Sequence, residues 1–302
     1  MIHSIKIDGF RGLKFEDNDV RRVNLIIGEN NTGKTSFLEA IFFSTLLLSN
    51  KITFSEANSQ LLYMLSSRGE SLSAFSTIND STITVNDDKI IIKRKDPFRM
   101  SVYLNDVDES KLIAKIEVEK VPISWGKLTG FLQIPSLVQR NTIKELDYFP
   151  VYISVHFDSY DNPERIISYS KKRGGKSEFE ILKDDYDQFY QLLPVYSIGR
   201  GFLKKELIKA SLSYANILLV DEIEDSLHPN YVKEVLKNIV DAKNVQSFIT
   251  THSNEVVKML AKLTQEENEL AIYYFSPKKA YRKYSLSELA NFDSPLSWAG
   301  YV

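Results

Sequence analysis

The sequence predicts an α/β fold in which a mostly parallel sheet is flanked by helices, together with an antiparallel, β-rich subdomain. Three observations support this prediction. A glycine-rich loop stands between the apolar run 23–27 and the helical run 36–48. Apolar runs that end in polar residues recur at 216–220 and 247–251, and each is followed by a helical pattern. Between these two ends of the chain, short alternating runs are separated by turn residues.

The glycine-rich loop has the pattern G-x-x-x-x-G-K-[ST], which is typical of phosphate-binding loops. Its glycines allow backbone N–H groups to point at phosphate oxygens, and the helix that follows adds partial positive charge at its N-terminus. Lys34 is expected to reach the β- and γ-phosphates, and the Thr35 hydroxyl is expected to bind Mg²⁺. The predicted nucleotide-binding residues are Gly28, Glu29, Asn30, Asn31, Thr32, Gly33, Lys34, Thr35 and Ser36.

Two carboxylates, Asp221 and Glu222, follow directly after the apolar run 217–220. Such a run suits a central parallel strand buried on both faces, and ligands bind at the carboxyl ends of strands in open α/β sheets. We therefore expect Asp221 to hold Mg²⁺ and Glu222 to polarise an attacking water. Because the chain lacks an Asn-Lys-x-Asp motif for guanine, the expected nucleotide is ATP.

Two further motifs are candidates for phosphate contact. His252 ends the apolar run 248–251, and we expect it to lie near the γ-phosphate. Small residues from Ser197 to Gly201 open a predicted helix, an arrangement that favours anion binding. A simple helix-capping turn is the alternative interpretation of that second segment.

Composition excludes several classes of function. The 302 residues are 43% apolar and 26% charged, with a net charge of −2 and no cysteine, which rules out disulfides, thiolate nucleophiles and cysteine-based zinc sites. The N-terminus lacks the apolar core of a signal peptide, and the run 40–48 is too short to span a bilayer. A cytoplasmic protein with no membrane contact is therefore expected.

The organisation predicted from these patterns is a single domain covering 1–302. Residues 1–48 and about 194–302 form the nucleotide-binding core, and about 49–193 form a β-rich and helical lobe. The predicted strands are 2–10, 21–27, 82–85, 89–93, 100–104, 113–121, 151–157, 216–220, 247–251 and 270–275. The predicted helices are 36–48, 184–193, 203–214, 230–240 and 253–262, with a mixed helical segment from about 50 to 75.

The order of four segments, GENNTGKTS, SIGRG, ILLVDEIEDSLHP and TTHS, resembles the ABC-type ATPase heads of the SMC, RecF and overcoming-lysogenization-defect (OLD) superfamily. The chain is most similar to the small OLD-like AAA family ATPases. The resemblance covers about residues 1–48 and 194–262 and implies a P-loop NTPase with an ABC-ATPase-like sheet. The opening Lys6–Gly12 is also similar to the N-terminal strand of that group, which places Arg11 among the expected ATP-binding residues.

This resemblance also implies a mechanism. Two heads would dimerise head-to-tail around two ATP molecules, with Ser197, Gly199 and Gly201 touching the ATP of the opposite subunit. Glu222 would be the general base and His252 the switch residue.

Two additional roles are implied by the same resemblance. Asp225 would lie in a loop that faces the dimer partner. A glutamine would bind Mg²⁺ at the junction of the lobes, and both Gln133 and Gln139 are candidates.

The predicted function is an ATP-hydrolysing switch that controls a separately encoded partner protein or DNA. The alternative is a nucleic-acid-processing component, such as a nuclease-associated defence or repair ATPase. A nuclease using the acidic runs 158–161 and 184–187, a transporter motor, and an ATP-binding module without turnover are less favoured; Glu222 argues against the last of these. The basic tract 171–176 is a candidate DNA contact, with a solvated turn as the alternative.

Overall fold

The computed structural model describes residues 1–66, 80–96, 98–125, 128–141, 146–154, 199–264, 266–277, 281–285 and 288. The strands are β1 Ile5–Asp8, β2 Lys14–Asp17, β3 Val23–Gly28, β4 Ser81–Val85, β5 Asp88–Asp96, β6 Arg99–Leu104, β7 Leu112–Trp125, β8 Leu128–Arg140, β9 Pro150–Ile153, β10 Ile217–Val220, β11 Gln246–Thr251, β12 Leu270–Phe275 and β13 Tyr281–Tyr284. The α-helices are α1 Lys34–Leu48, α2 Phe54–Ser66, α3 Arg200–Leu212, α4 Pro229–Asp241 and α5 Asn254–Leu263.

The chain forms two compact units. The first, called here the parallel unit, comprises Met1, Val20–Leu38 and Pro150–Val302. The second, called here the antiparallel unit, comprises Ile2–Asp19 and Glu39–Phe149. The division falls within α1, whose first turns belong to the parallel unit.

The parallel unit contains a six-stranded sheet in the order β13-β12-β3-β11-β10-β9. Its strands are parallel except for β13, which pairs antiparallel with β12. Almost every residue of the five parallel strands is buried, as expected for a sheet covered on both faces. The α/β fold and the mostly parallel sheet predicted from the sequence are confirmed.

The first turns of α1 pack directly on this sheet. The ring of Phe37 lies 6.2 Å from that of Phe248, 6.4 Å from that of Tyr273 and 5.7 Å from that of Phe275, measured between centroids. Phe37 is fully buried by these contacts. They hold the first turns of α1 against β11 and β12, the two strands on either side of β3, which leads into the glycine-rich loop.

The antiparallel unit contains a seven-stranded sheet in the order β2-β1-β4-β5-β6-β7-β8. All neighbouring strands pair antiparallel, so the predicted β-rich subdomain is confirmed. Within this unit, the guanidinium of Arg140 caps the C-terminus of α1, donating to the carbonyls of Leu46 at 3.1 Å and of Ser49. Burial lowers the pKa of Arg140.

Three strands, β2, β8 and β13, were not predicted from the sequence. Strands β2 and β13 are short and polar, and β8 contains Gly130 and Pro135, which both disfavour strands. Pairing with β7 from Ala114 to Trp125 overrides this local preference in β8. The predicted helix 184–193, the basic tract 171–176 and the acidic runs at 158 and 184 lie outside the described residues.

Candidate functional site

Three neighbouring parallel strands of the parallel unit end at the same edge. In β3 and β11, Ile27 pairs with Thr251, and in β11 and β10, Ile249 pairs with Val220. The segments that follow these strands are the glycine-rich loop, His252 and Asp221. The sheet therefore brings together three motifs that are up to about two hundred residues apart in the sequence.

The glycine-rich loop depends on backbone conformations that side chains resist. Gly28 has a φ of 147° and Gly33 a φ of 103°, and Asn31 adopts a φ of 63°. A Cβ on Gly28 would lie 2.3 Å from the carbonyl oxygen of Phe275, which is closer than any real contact. Only glycine fits at position 28, since both the conformation and the space exclude a side chain.

The ammonium of Lys34 lies inside this loop. It donates hydrogen bonds to the carbonyls of Gly28 at 2.8 Å and Glu29 at 2.7 Å, and the side chain is only 6% exposed. Burial lowers the pKa of Lys34, and the carboxylates of Glu222 and Asp221 oppose that shift. An anionic phosphate in the loop would favour the charged form still further, so the site is suited to a phosphate ligand.

One carboxylate oxygen of Asp221 accepts hydrogen bonds from two hydroxyl groups. Its Oδ1 accepts hydrogen bonds from Thr250 at 2.6 Å and from Thr35 at 3.3 Å, and the residue is 3% exposed. Neighbouring oxygen ligands of an octahedral Mg²⁺ bound at about 2.1 Å lie roughly 3 Å apart. The separation between Thr35 and Asp221 therefore fits two adjacent ligands of one Mg²⁺, with water and phosphate oxygens as the others.

Glu222 has a strained backbone. Its φ is 44°, in the left-handed region, which typically costs a non-glycine residue about 1–3 kcal/mol. The conformation is held on both sides, because its N–H donates to the Thr250 hydroxyl at 2.7 Å and its carbonyl accepts from Lys204 at 2.7 Å. Its carboxylate, partly exposed, lies 3.9 Å from Nδ1 of His252.

Glu224 joins the segment after β10 to the segment after β11. Its Oε1 accepts a hydrogen bond from the backbone N–H of His252 at 2.9 Å, and its Oε2 accepts one from the Thr251 hydroxyl at 2.8 Å. The His252 side chain is 46% exposed. Roles for Thr250 and Glu224 were not predicted from the sequence, although Thr250 and Thr251 directly precede His252.

The two described glycines at the start of α3 have different surroundings. Gly199 is exposed, and a Cβ there would meet no atom of the described residues within 4 Å. A Cβ on Gly201 would lie 2.1 Å from the carbonyl oxygen of Ser226. Packing among the described residues therefore explains the glycine at 201 but not the one at 199. Ser197, the third residue predicted to contact ATP, lies outside the described residues.

Other predicted residues of the site lie in the antiparallel unit. Arg11 forms a buried ion pair with Glu39. The Gln139 amide donates to Oδ1 of Asn141 at 3.3 Å, and the Gln133 side chain is outside what the structure describes. The expected roles of Arg11 and of the two glutamines remain predictions.

The remaining residues of the loop segment differ in exposure. Thr32 is buried and donates its hydroxyl proton to the Glu29 carbonyl at 2.9 Å, which braces the turn. Glu29, Asn30 and Asn31 are exposed, and Ser36 is half-buried. Their roles in nucleotide binding remain predictions, as does the placement of Asp225 in a loop facing a dimer partner.

A phosphate loop between a strand and a helix, with a buried aspartate at the end of another parallel strand of the same sheet that accepts a hydrogen bond from the loop's threonine hydroxyl, defines a P-loop nucleotide-binding fold. A family model described as "AAA domain, putative AbiEii toxin, Type IV TA system" matches residues 130–258. A Helicobacter pylori protein named "ATP/GTP phosphatase" is 22% identical over 340 aligned positions, covering 89% of this chain and 90% of that protein.

Two heads of SMC proteins are among the solved structures to which the chain is similar. The SMC head domain from Thermotoga maritima has a TM-score of 0.40 and 11% identity, covering 94% of this chain and 98% of that one. An SMC head bound to the C-terminal winged-helix domain of ScpA has a TM-score of 0.48 and 13% identity, covering 96% and 99% of the two chains.

The family match and the curated relative confirm the predicted resemblance to AAA family ATPases. Among the described residues, no helix is both long enough and apolar enough to cross a membrane.

Proposed function

We propose that this protein hydrolyses ATP with Mg²⁺ and acts as a switch by ATP-dependent head-to-tail dimerisation. The observation that carries the proposal is the hydrogen bond from the Thr35 hydroxyl to Oδ1 of Asp221 at 3.3 Å, together with the buried ammonium of Lys34 in the same loop. Phosphate-binding loops pair these same groups to hold Mg²⁺ and the terminal phosphates. The name of the curated relative, an ATP/GTP phosphatase, supports the same activity.

The roles of the residues follow from their positions. Backbone N–H groups of the loop and the N-terminus of α1 bind the phosphates, and Lys34 neutralises the charge that develops on the γ-phosphate. Thr35 and Asp221 would hold the metal ion, which when bound neutralises phosphate oxygens. Glu222 takes a proton from the attacking water, and His252, 3.9 Å from Glu222, contacts the γ-phosphate side of the site.

Dimerisation is proposed through the start of α3. Gly199 is exposed and none of the described residues crowds it, which supports close approach of a second subunit to its backbone. Ser197, Gly199 and Gly201 would then touch the ATP held by the partner. In this arrangement ATP bridges the two heads, and hydrolysis releases them.

The client of the switch is proposed to be DNA or a separately encoded effector protein. Binding of duplex DNA by the ATP-bound Glu222→Gln protein, weakened steeply by salt, would support DNA. Replacing the four cations of the tract 171–176 with serine should then reduce that binding. Equal binding by both proteins would exclude this tract as the DNA contact, and no binding even at low salt would favour a protein client.

The activity itself is tested by phosphate release from ATP with and without Mg²⁺. Turnover is expected only with the metal ion, and Lys34→Ala should abolish ATP binding measured by calorimetry, because it removes the ammonium from the phosphate site. A matched control is Lys258→Ala on α5, which removes a cation from the same unit outside the site. ATP binding by Lys34→Ala at the parental affinity would overturn the proposal.

A further inference from the structure

Lys204 is a buried lysine that the proposed mechanism does not use. It lies on α3, is 0% exposed, and donates hydrogen bonds to three backbone carbonyls of the segment after β10. The acceptors are Glu222 at 2.7 Å, Asp225 at 3.2 Å and Asp221 at 3.4 Å. A single ammonium therefore gathers the carbonyls of a loop that carries the predicted metal ligand and the predicted general base.

A buried ammonium is costly unless hydrogen bonds compensate for the lost hydration. Burial lowers the pKa of Lys204 to about 8, and the carboxylates of Asp225, Glu224, Asp221 and Glu222 oppose the shift. An apolar side chain would fill the same space on α3 without that penalty. The carbonyl contacts are what the charged group adds.

The contact with Glu222 has a specific consequence. The left-handed φ of 44° at Glu222 is strained, and strain of this kind persists only when the surroundings enforce it. Thr250 holds the N–H of Glu222 at 2.7 Å, and Lys204 holds its carbonyl at 2.7 Å. The peptide groups on both sides of the Glu222 Cα are thereby fixed, and so is the direction in which its side chain leaves the backbone.

A second contact locks the same helix to the same loop. The backbone at Gly201 approaches the carbonyl oxygen of Ser226 so closely that a Cβ would lie 2.1 Å from it. Gly201 and Lys204 are three residues apart and so face the loop from the same side of α3. One end of α3 therefore abuts the loop at Ser226 while its next turn holds Glu222.

We propose that Lys204 is a positioning residue, which holds the backbone of Glu222 in its strained conformation so that the carboxylate is set for proton transfer from water. This inference rests on the proposed ATPase function. It assigns to α3 a role within its own subunit, in addition to the contact proposed across a dimer. A movement of α3 would shift Lys204 and so change the backbone position of Glu222.

The test is a comparison of Lys204→Met, which keeps the length and removes the charge, with Lys204→Arg and with Lys205→Met. Lys205 is a matched control because it is also buried on the same helix, 4% exposed, but its ammonium lies 3.7 Å from the carboxylates of Glu206 and Glu234 and over the rings of Phe202 and Tyr231. Lys204→Met should keep ATP affinity within about threefold and lower kcat by about tenfold or more. Lys204→Arg should recover part of kcat, and Lys205→Met should leave it within about twofold.

A double-variant cycle separates positioning from a general structural effect. If Lys204 acts through Glu222, Lys204→Met should cause no further loss of turnover in the Glu222→Gln protein. The inference would be overturned, with the proposed function left intact, if the losses of kcat in the two single variants multiplied in the double variant. A near-parental kcat in folded Lys204→Met would have the same consequence. An inactive parent protein would overturn both. If Lys204→Met does not fold, Lys204→Gln should still show kcat below that of Lys204→Arg, and the reverse order would overturn the inference.

Discussion

The hydroxyl of Thr250 donates its proton to Oδ1 of Asp221 at 2.6 Å and accepts the backbone N–H of Glu222 at 2.7 Å. One buried hydroxyl on β11 thus positions both carboxylate residues at the end of β10. Because β11 lies between β3 and β10 in the sheet, the same residue stands between the phosphate loop and the proposed metal and base positions. Thr250 therefore connects β11, the central strand of the site, to the proposed metal ligand Asp221 and the proposed general base Glu222.

Replacing Thr250 with valine should slow ATP hydrolysis while preserving the packing of β11, since valine has the same shape. The change leaves the N–H of Glu222 and one oxygen of Asp221 without this partner, at a cost of about 1–3 kcal/mol in unfolding free energy. We expect kcat to fall by about tenfold, the equivalent of about 1.4 kcal/mol. Phosphate release and thermal melting measure the two effects.

Ser247→Ala is the matched control for that experiment, because Ser247 is buried at the opposite end of β11. It should leave kcat unchanged. A Thr250→Val protein with parental kcat would show that the hydroxyl does not position Asp221 and Glu222 for the reaction.

Replacing Glu222 with glutamine should leave ATP binding intact and reduce turnover by about 10²–10⁴-fold, the usual contribution of a general base. The amide keeps the shape of the side chain but cannot accept the proton of the attacking water. Single-turnover phosphate release measures the effect. Near-parental turnover would remove Glu222 from this role and direct attention to Glu224, which lies on the same loop.

Replacing Gly199 with arginine should prevent ATP-dependent dimerisation without weakening the fold. A Cβ at this position meets no described atom within 4 Å and the φ of −52° suits any residue, so the unfolding free energy should change by less than about 0.5 kcal/mol. Light scattering on the Glu222→Gln protein with ATP should show a dimer that Gly199→Arg abolishes. A dimer that persists in this variant would contradict the proposed seam.

Replacing Gly201 with alanine should have the opposite pattern, because the methyl group would lie 2.1 Å from the Ser226 carbonyl. The loop or the helix must shift, and overpacking of this kind typically costs about 1–3 kcal/mol. We expect a lower melting temperature even for the protein without ATP. An unchanged melting temperature would show that α3 and the loop are not held together there.

Stability should rise with pH in the range set by Lys204. Its pKa is about 8 in the folded protein and near 10.5 in the unfolded chain, so the unfolded state binds more protons between these values. Stabilisation from this group is therefore fully present above about pH 10.5 and is lost as pH falls through about 8. Denaturant titrations from pH 7 to 10 should show that the unfolding free energy of the parent rises relative to that of Lys204→Met. If the two unfolding free energies changed in parallel with pH, the lowered pKa of Lys204 would be contradicted.

The sequence by itself determined the fold class and the phosphate loop. The pattern from Gly28 to Thr35 requires backbone conformations that are open to glycine, and the buried strands β3, β10, β11 and β12 appear as apolar runs of the right length. The pair Asp221 and Glu222 was visible because polar residues that end an apolar strand mark the ligand edge of a parallel sheet. These features are local, so they can be read from neighbouring residues.

Only the tertiary structure decided which distant groups meet at that edge. The contacts of Thr250 with Asp221, of Glu224 with His252, and of Lys204 with Glu222 join residues 18 to 29 positions apart, through the order of the strands and the packing of α3. A lysine in a helix is usually solvated, and nothing in the local pattern of α3 distinguishes Lys204 from Lys205. Their partners differ because the two side chains leave the helix in different directions. Only the packing of α3 against the loop after β10 determines that Lys204, and not Lys205, reaches the carbonyl of Glu222.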